Sequence, residues 1–145
     1  LIMTLAFFSC LFMLRKKNVF YEKIEDLSGL SNNHPILSIA LLIILFSLAG
    51  IPPLAGFFAK FYVFVAVLEQ EMYTLAIIGL LTTVMSAFYY LKIIKTIYFD
   101  DSAITFDLTK NKKAQFSIFA SCIFLVTFFL YPSIFNNMVT ALFVS

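Results

Sequence analysis

Charge, histidine, cysteine and tryptophan are all scarce in this 145-residue sequence, and the shortage of charge excludes most soluble proteins. Only 12% of the residues are charged, 62% are hydrophobic, and the mean hydropathy is +0.99. A soluble domain is about half apolar and about a quarter charged, so this chain could not hide its apolar surface from water. The net charge is only +2 and the basic residues are scattered, so we expect no nucleic-acid partner.

The shortage of histidine and cysteine argues against metal or redox chemistry within the chain. His34 is the only histidine and precedes a proline in a polar stretch, where we expect a solvated turn. Cys10 and Cys122 stand alone in apolar segments without a CxxC pair, as small core residues do. No phosphate-binding glycine loop, metal-ligand cluster or nucleophile–base pair is present. We therefore expect no cofactor and no metal in this chain.

The sequence is rich instead in long uncharged runs, at 36–59, 72–91 and 114–145. Each run reaches the roughly 20 residues that a helix needs to cross a bilayer. The fold class we predict is all-α and integral to the membrane, with about four transmembrane helices in one membrane domain fragment over 1–145. We place them at about 1–14, 36–68 with an interruption, 72–98 and 114–138. The first would be only about 21 Å long, so we expect it to begin in a missing segment or a second polypeptide.

The distribution of lysine and arginine predicts the orientation. Basic residues follow the first helix at 15–23 and follow the third at 110–113, whereas the stretch after the second helix has none. By the positive-inside rule the basic stretches face the matrix or cytoplasm, and both chain ends face the outer side. The stretch 18–34 is polar, and residues 28–29 and 31–35 are of the types that form turns, with Pro35 suited to the first turn of the next helix.

The second helix contains the most informative segment. As one continuous helix, 36–68 would measure about 50 Å, well beyond a hydrocarbon core of about 30 Å. Pro52 and Pro53 remove two backbone donors from its middle, and Gly50 and Gly56 flank them. We predict two half-helices separated by a break over Gly50–Pro53. Such breaks are typical of ion and substrate sites in transporters, and a plain proline kink without a transport role is the alternative.

Lys60 is the residue to which the sequence points as a functional group, because uncharged residues surround it in the second half of this helix. A charge at mid-membrane costs about 2.5–3.5 kcal/mol and usually faces a bundle interior or water. An amine removed from water holds its proton less tightly, so Lys60 could load and release one. Gly56, one turn earlier, leaves room beside it. The alternative is that Lys60 extends to the outer interface.

Lys92 and Lys95 are secondary candidates for the same relay. They follow Tyr89 and Tyr90 near the end of the third helix. Aromatic and basic residues together are also what anchors a helix end at the headgroups, and that interpretation stays open.

The run from Phe46 to Tyr62 resembles the broken-helix motif of the antiporter-like subunits of NADH:ubiquinone oxidoreductase, respiratory complex I. It reads Ser-Leu-Ala-Gly-Ile-Pro-Pro-Leu-Ala-Gly-Phe and closes with Lys-Phe-Tyr. The resemblance continues at Met3–Leu5, 24–27 and 86–92. The motif is shared with cation/proton antiporters, and Lys60 with the tyrosine pair is most similar to the subunit 2 type.

This resemblance implies that the chain is the C-terminal part of a fourteen-helix antiporter-like bundle, with Lys60 on the proton path toward the outer side. It implies a proton-translocating enzyme in which NADH, FMN, iron–sulfur clusters and ubiquinone bind other subunits. The implied partners are the remaining N-terminal part of subunit 2, other membrane-arm subunits and lipids. The mitochondrial inner membrane is the expected location and the bacterial cytoplasmic membrane the alternative, because a tryptophan-free, Phe- and Ile-rich composition suits an AT-rich genome of either kind.

Two other functions compete with this one. A subunit of a stand-alone cation/proton antiporter would use the same broken helix without an oxidoreductase partner. A purely structural membrane segment would carry an inert Lys60.

Overall fold

The computed structural model of the chain describes residues 1–14, 23–52, 54–101 and 112–130. Within these ranges the chain is mostly helical and contains no strand, which confirms the all-α prediction. Several predicted features lie outside the described residues: the basic residues at 15–17 and 110, Pro53, and the end of the helix predicted at 114–138.

The described residues form six α-helices and one 3-10 turn. They are α1 (Ile2–Met13), the 3-10 turn (Ile24–Leu27), α2 (Leu30–Asn33), α3 (Pro35–Ala49), α4 (Ala55–Glu69), α5 (Tyr73–Phe99) and α6 (Lys112–Leu130). The segment predicted as one interrupted helix over 36–68 corresponds to α3 and α4. Pro35 occupies the first turn of α3, where its missing N–H costs no hydrogen bond.

The core of the bundle lies around α3. This helix packs against α1, α5 and α6, and α1 also packs along α6. Fully buried side chains from these helices meet there, including Cys10, Leu41, Ile44, Ile97 and Leu125. Both cysteines are free thiols packed among apolar side chains, and no cluster of potential metal ligands occurs among the described residues.

The polar stretch before α3 has the predicted turn at 28–29, but residues 31–33, also predicted as turn, lie in the short helix α2. It contains the 3-10 turn and α2, and both pack against α5. The Asp26 carboxylate accepts the backbone N–H of Lys23 at 3.0 Å, which caps the 3-10 turn. Leu27 and Leu30 are buried, so two apolar residues anchor this polar segment to the bundle.

Helix α5 is the one described helix long and apolar enough to cross a membrane, while α1 and α3 are shorter apolar helices. Most of its side chains are exposed, and burial is confined to its C-terminal end, at Ile93, Ile94, Thr96 and Ile97. At about 1.5 Å per residue α5 is about 40 Å long.

Candidate functional site

The end of α3 is closed by glycine. Gly50 has φ +83°, a left-handed conformation that glycine adopts without a steric cost. The Ile51 N–H donates to the Phe46 carbonyl and the Gly50 N–H donates to the Ser47 carbonyl, both at 3.1 Å, which is the hydrogen-bond pattern of a Schellman motif. The helix therefore stops abruptly at Ala49.

This stop leaves two carbonyls of the last turn in need of donors. In a continuing helix, Leu48 and Ala49 would accept the N–H groups four residues further on. Those positions are Pro52 and Pro53, and proline has no N–H. The two prolines therefore leave the Leu48 and Ala49 carbonyls without the backbone donors that a continuous helix would provide.

Helix α4 begins in direct contact with the last turn of α3. The N–H of Gly56 donates to the Ser47 hydroxyl at 3.2 Å. A Cβ on Gly56 would lie 1.7 Å from the Ser47 carbonyl oxygen, so only glycine permits this approach of the two backbones. The Ser47 hydroxyl is also 2.9 Å from the Met3 sulfur, which joins α1 to the same point.

Lys60 completes the site one turn after Gly56, on the same face of α4. Its Nζ donates to the carbonyl oxygens of Leu48 and Ala49, both at 3.0 Å, and thereby supplies the donors that the prolines lack. The side chain is partly buried, between more exposed neighbours on α4. The C-terminal end of a helix also carries partial negative charge, so it attracts the ammonium group.

A groove runs beside Lys60 between α4 and α5. It encloses about 460 Å³, and apart from Lys60 and Thr83 its lining is apolar or glycine. The Thr83 hydroxyl donates to the Gly79 carbonyl at 2.9 Å, so its oxygen can still accept a hydrogen bond. The site is thus a cation held by helix carbonyls at the edge of an open groove.

The other predicted candidates lie apart from this arrangement. Lys92 and Lys95 are exposed near the C-terminal end of α5, and Lys95 lies 3.9 Å from the Asp100 carboxylate. Lys60 precedes the α4–α5 turn by about 15 Å and Lys92 follows it by about 30 Å, so the structure does not bring them together. Glu69 is exposed beside that turn.

Two contributions to the site were not singled out from the sequence. Ser47 was part of the motif without an assigned role, and Met3 was part of the resemblance alone. A serine within one turn of the predicted break is the signal that could have pointed to Ser47. Nothing in the sequence indicates its contact with Met3, because that contact depends on how α1 packs.

The described residues thus form a bundle of apolar helices that is interrupted where a lysine binds helix carbonyls, an arrangement that resembles the discontinuous helices of membrane transporters. The family described as NADH:quinone oxidoreductase/Mrp antiporter, transmembrane, matches residues 1–86. The chain belongs to this family.

Similar proteins include complete bacterial subunits. NADH-quinone oxidoreductase subunit N of Pelagibacter ubique is 62% identical over 133 residues, which is 92% of this chain and 28% of that protein. Subunit N of Methylobacterium nodulans is 45% identical over 133 residues, with 92% and 27% covered. This chain therefore spans less than a third of the length of these relatives.

A solved structure is similar as well. A chain of respiratory complex I from Thermus thermophilus, determined with bound aureothin, matches with a TM-score of 0.72 and 26% identity. The match covers 90% of this chain and 31% of that one. The bundle thus has the fold of part of a complex I chain, which supports a multi-pass membrane location.

Proposed function

We propose that this chain is part of a proton-translocating membrane-arm subunit of NADH:quinone oxidoreductase, in which Lys60 carries a proton. The observation that carries the proposal is the pair of hydrogen bonds from Lys60 to the Leu48 and Ala49 carbonyls. A lysine that only extended to the interface would direct its ammonium along α4 toward water, and here it turns to the broken end of α3.

The proposed mechanism is electrostatic. The helix carbonyls hold Lys60 in its charged form, while low-dielectric surroundings make that form sensitive to neighbouring charge. When quinone reduction elsewhere changes the charge near the groove, Lys60 releases its proton and later takes up another. NADH, FMN, iron–sulfur clusters and ubiquinone bind other subunits in this proposal.

The proposed partners follow from the length of the relatives. The remaining part of an N-type, or subunit 2, polypeptide would complete the bundle, either within one chain or as a second chain. Other membrane-arm subunits and lipids would cover the exposed apolar side chains. The bacterial relatives support the bacterial cytoplasmic membrane over the mitochondrial inner membrane, with the orientation given by the positive-inside rule.

Substitution of Lys60 tests the proton-carrying role. Lys60→Met removes the charge, and Lys60→Arg keeps a cation that does not release its proton. We expect both variants to assemble and to lose about a hundredfold or more in NADH-driven proton pumping, the low end for removal of a proton-transfer group. Pumping is measured in sealed membrane vesicles, and assembly by an NADH-dehydrogenase stain of native gels. Normal pumping by assembled Lys60→Arg would show that Lys60 is structural.

A stand-alone cation/proton antiporter is the second candidate, because the family description covers Mrp antiporters as well. The two functions differ in the complex to which the chain belongs. Identification of this chain in the NADH-oxidising band of a native gel supports the complex I function. Its migration apart from all NADH-oxidising activity would favour the antiporter.

A further inference from the structure

A side chain at Gly50 would meet the end of the Lys60 side chain. A Cβ built on Gly50 would be 3.0 Å from Cδ of Lys60, 3.2 Å from Nζ and 3.4 Å from Cε. Few real Cβ contacts are this close, and the ammonium is held by two hydrogen bonds, so the lysine would have to move.

The left-handed conformation of Gly50 is needed for a separate reason. With φ at +83°, it ends α3 and leaves the carbonyls of Leu48 and Ala49 open at the helix end. Any other residue there is strained, although asparagine tolerates this region better than alanine does. One glycine thus creates the carbonyl site and leaves the space that the lysine occupies.

We propose that Gly50 is the positioning residue for Lys60: its missing side chain lets the ammonium reach both carbonyls at the end of α3. This inference rests on the proposed function of Lys60, and it adds the residue that determines where the proton is held. Pro52 and Pro53 act in the same direction, because they offer no N–H that could compete for those carbonyls.

The test measures how readily Lys60 reacts as a free amine. Trace acetylation of the assembled complex in sealed membranes, followed by mass spectrometry, gives the rate at Lys60 relative to Lys95. Lys95 is a suitable reference because its side chain is 71% exposed and lies on a different helix. Only a deprotonated amine is acetylated, so an ammonium that loses its carbonyl acceptors reacts faster.

We expect Gly50→Ala to raise the Lys60-to-Lys95 ratio about tenfold, the effect of losing a charge-assisted hydrogen bond of ordinary strength. Gly50→Asn should raise it as well, because asparagine adds the Cβ while it tolerates the left-handed backbone. If Gly50→Ala does not assemble, the acetylation test is made with Gly50→Asn alone.

Gly29→Ala is the matched control. Gly29 also has a left-handed backbone, at φ +64°, and precedes α2, at the opposite end of α3 from Lys60. It should leave the ratio unchanged. An unchanged ratio in both Gly50 variants, or an equal rise in Gly29→Ala, would overturn the positioning role. Proton pumping by the same vesicles tests the proposed function separately. If the Gly50 variants raise the Lys60-to-Lys95 ratio but pump normally, Gly50 does position Lys60, and the proposed role of Lys60 as a proton carrier is overturned.

Discussion

The broken α3–α4 pair and the continuous helix α5 differ in where their polar groups find hydrogen-bond partners. In α5 the hydroxyls of Thr82, Thr83 and Ser86 donate to carbonyls three or four residues earlier in the same helix. At the break between α3 and α4, polar groups instead bind from one half-helix to the other, from Gly56 to Ser47 and from Lys60 to the end of α3. A helix that satisfies its own polar groups can face lipid or any apolar neighbour. The hydrogen bonds between α3 and α4 instead fix the position of one half-helix relative to the other, as a functional site requires.

The largest expected effect comes from separating the two half-helices. Gly56→Ala would place a Cβ 1.7 Å from the Ser47 carbonyl oxygen, and a backbone atom cannot yield as a flexible side chain can. We expect Gly56→Ala to lower the folding stability by an amount at or above the upper end of the ~1–3 kcal/mol typical of overpacking. Little assembled complex should then be seen on native gels.

Gly79→Ala provides the matched comparison on α5. Its Cβ would meet the edge of the Phe64 ring at 3.0 Å, and that ring can shift. A near-normal amount of assembled complex is expected. Equal amounts of complex from Gly56→Ala and Gly79→Ala would mean that the close approach of α3 and α4 is not required for assembly.

A smaller effect is expected from Ser47→Ala. This change removes the acceptor of the buried Gly56 N–H, and a buried donor left unpaired costs about 1–3 kcal/mol. The thermal midpoint for loss of the assembled complex should fall. Ser86→Ala is the control, because its exposed hydroxyl binds only within α5 and its removal should change stability by less than about 0.5 kcal/mol. If Ser86→Ala lowered the thermal midpoint as much as Ser47→Ala does, hydrogen bonds across the break would contribute no more to stability than hydrogen bonds within α5.

The smallest effect is expected from Lys95→Gln. The Lys95–Asp100 pair spans 3.9 Å between exposed side chains, and such pairs contribute about 0–1 kcal/mol. Assembly and proton pumping should stay close to normal. A pumping loss comparable to that of Lys60→Arg would instead include Lys95 in the relay and extend the functional region onto α5.

What could be predicted from the sequence is what depends on local backbone chemistry. Two prolines between glycines indicate where a helix stops, and α3 ends at Ala49. A lone lysine in an apolar run indicates a buried charge. The contact of Gly50 with Lys60 and the bridge made by Ser47 could not be predicted, since both depend on how far α4 overlaps α3. The short helices at 24–27 and 30–33 were not predicted, because the polar composition of this segment gave no indication that Leu27 and Leu30 anchor it to the bundle.

The pairing of Lys60 with the end of α3 has a consequence for synthesis of the protein. Each half-helix is about 22 Å long, too short to cross a bilayer core of about 30 Å alone. Until α4 folds onto α3, the membrane holds an uncompensated lysine, at about 2.5–3.5 kcal/mol, and open carbonyls that cost several kcal/mol each. Folding removes both penalties in one step.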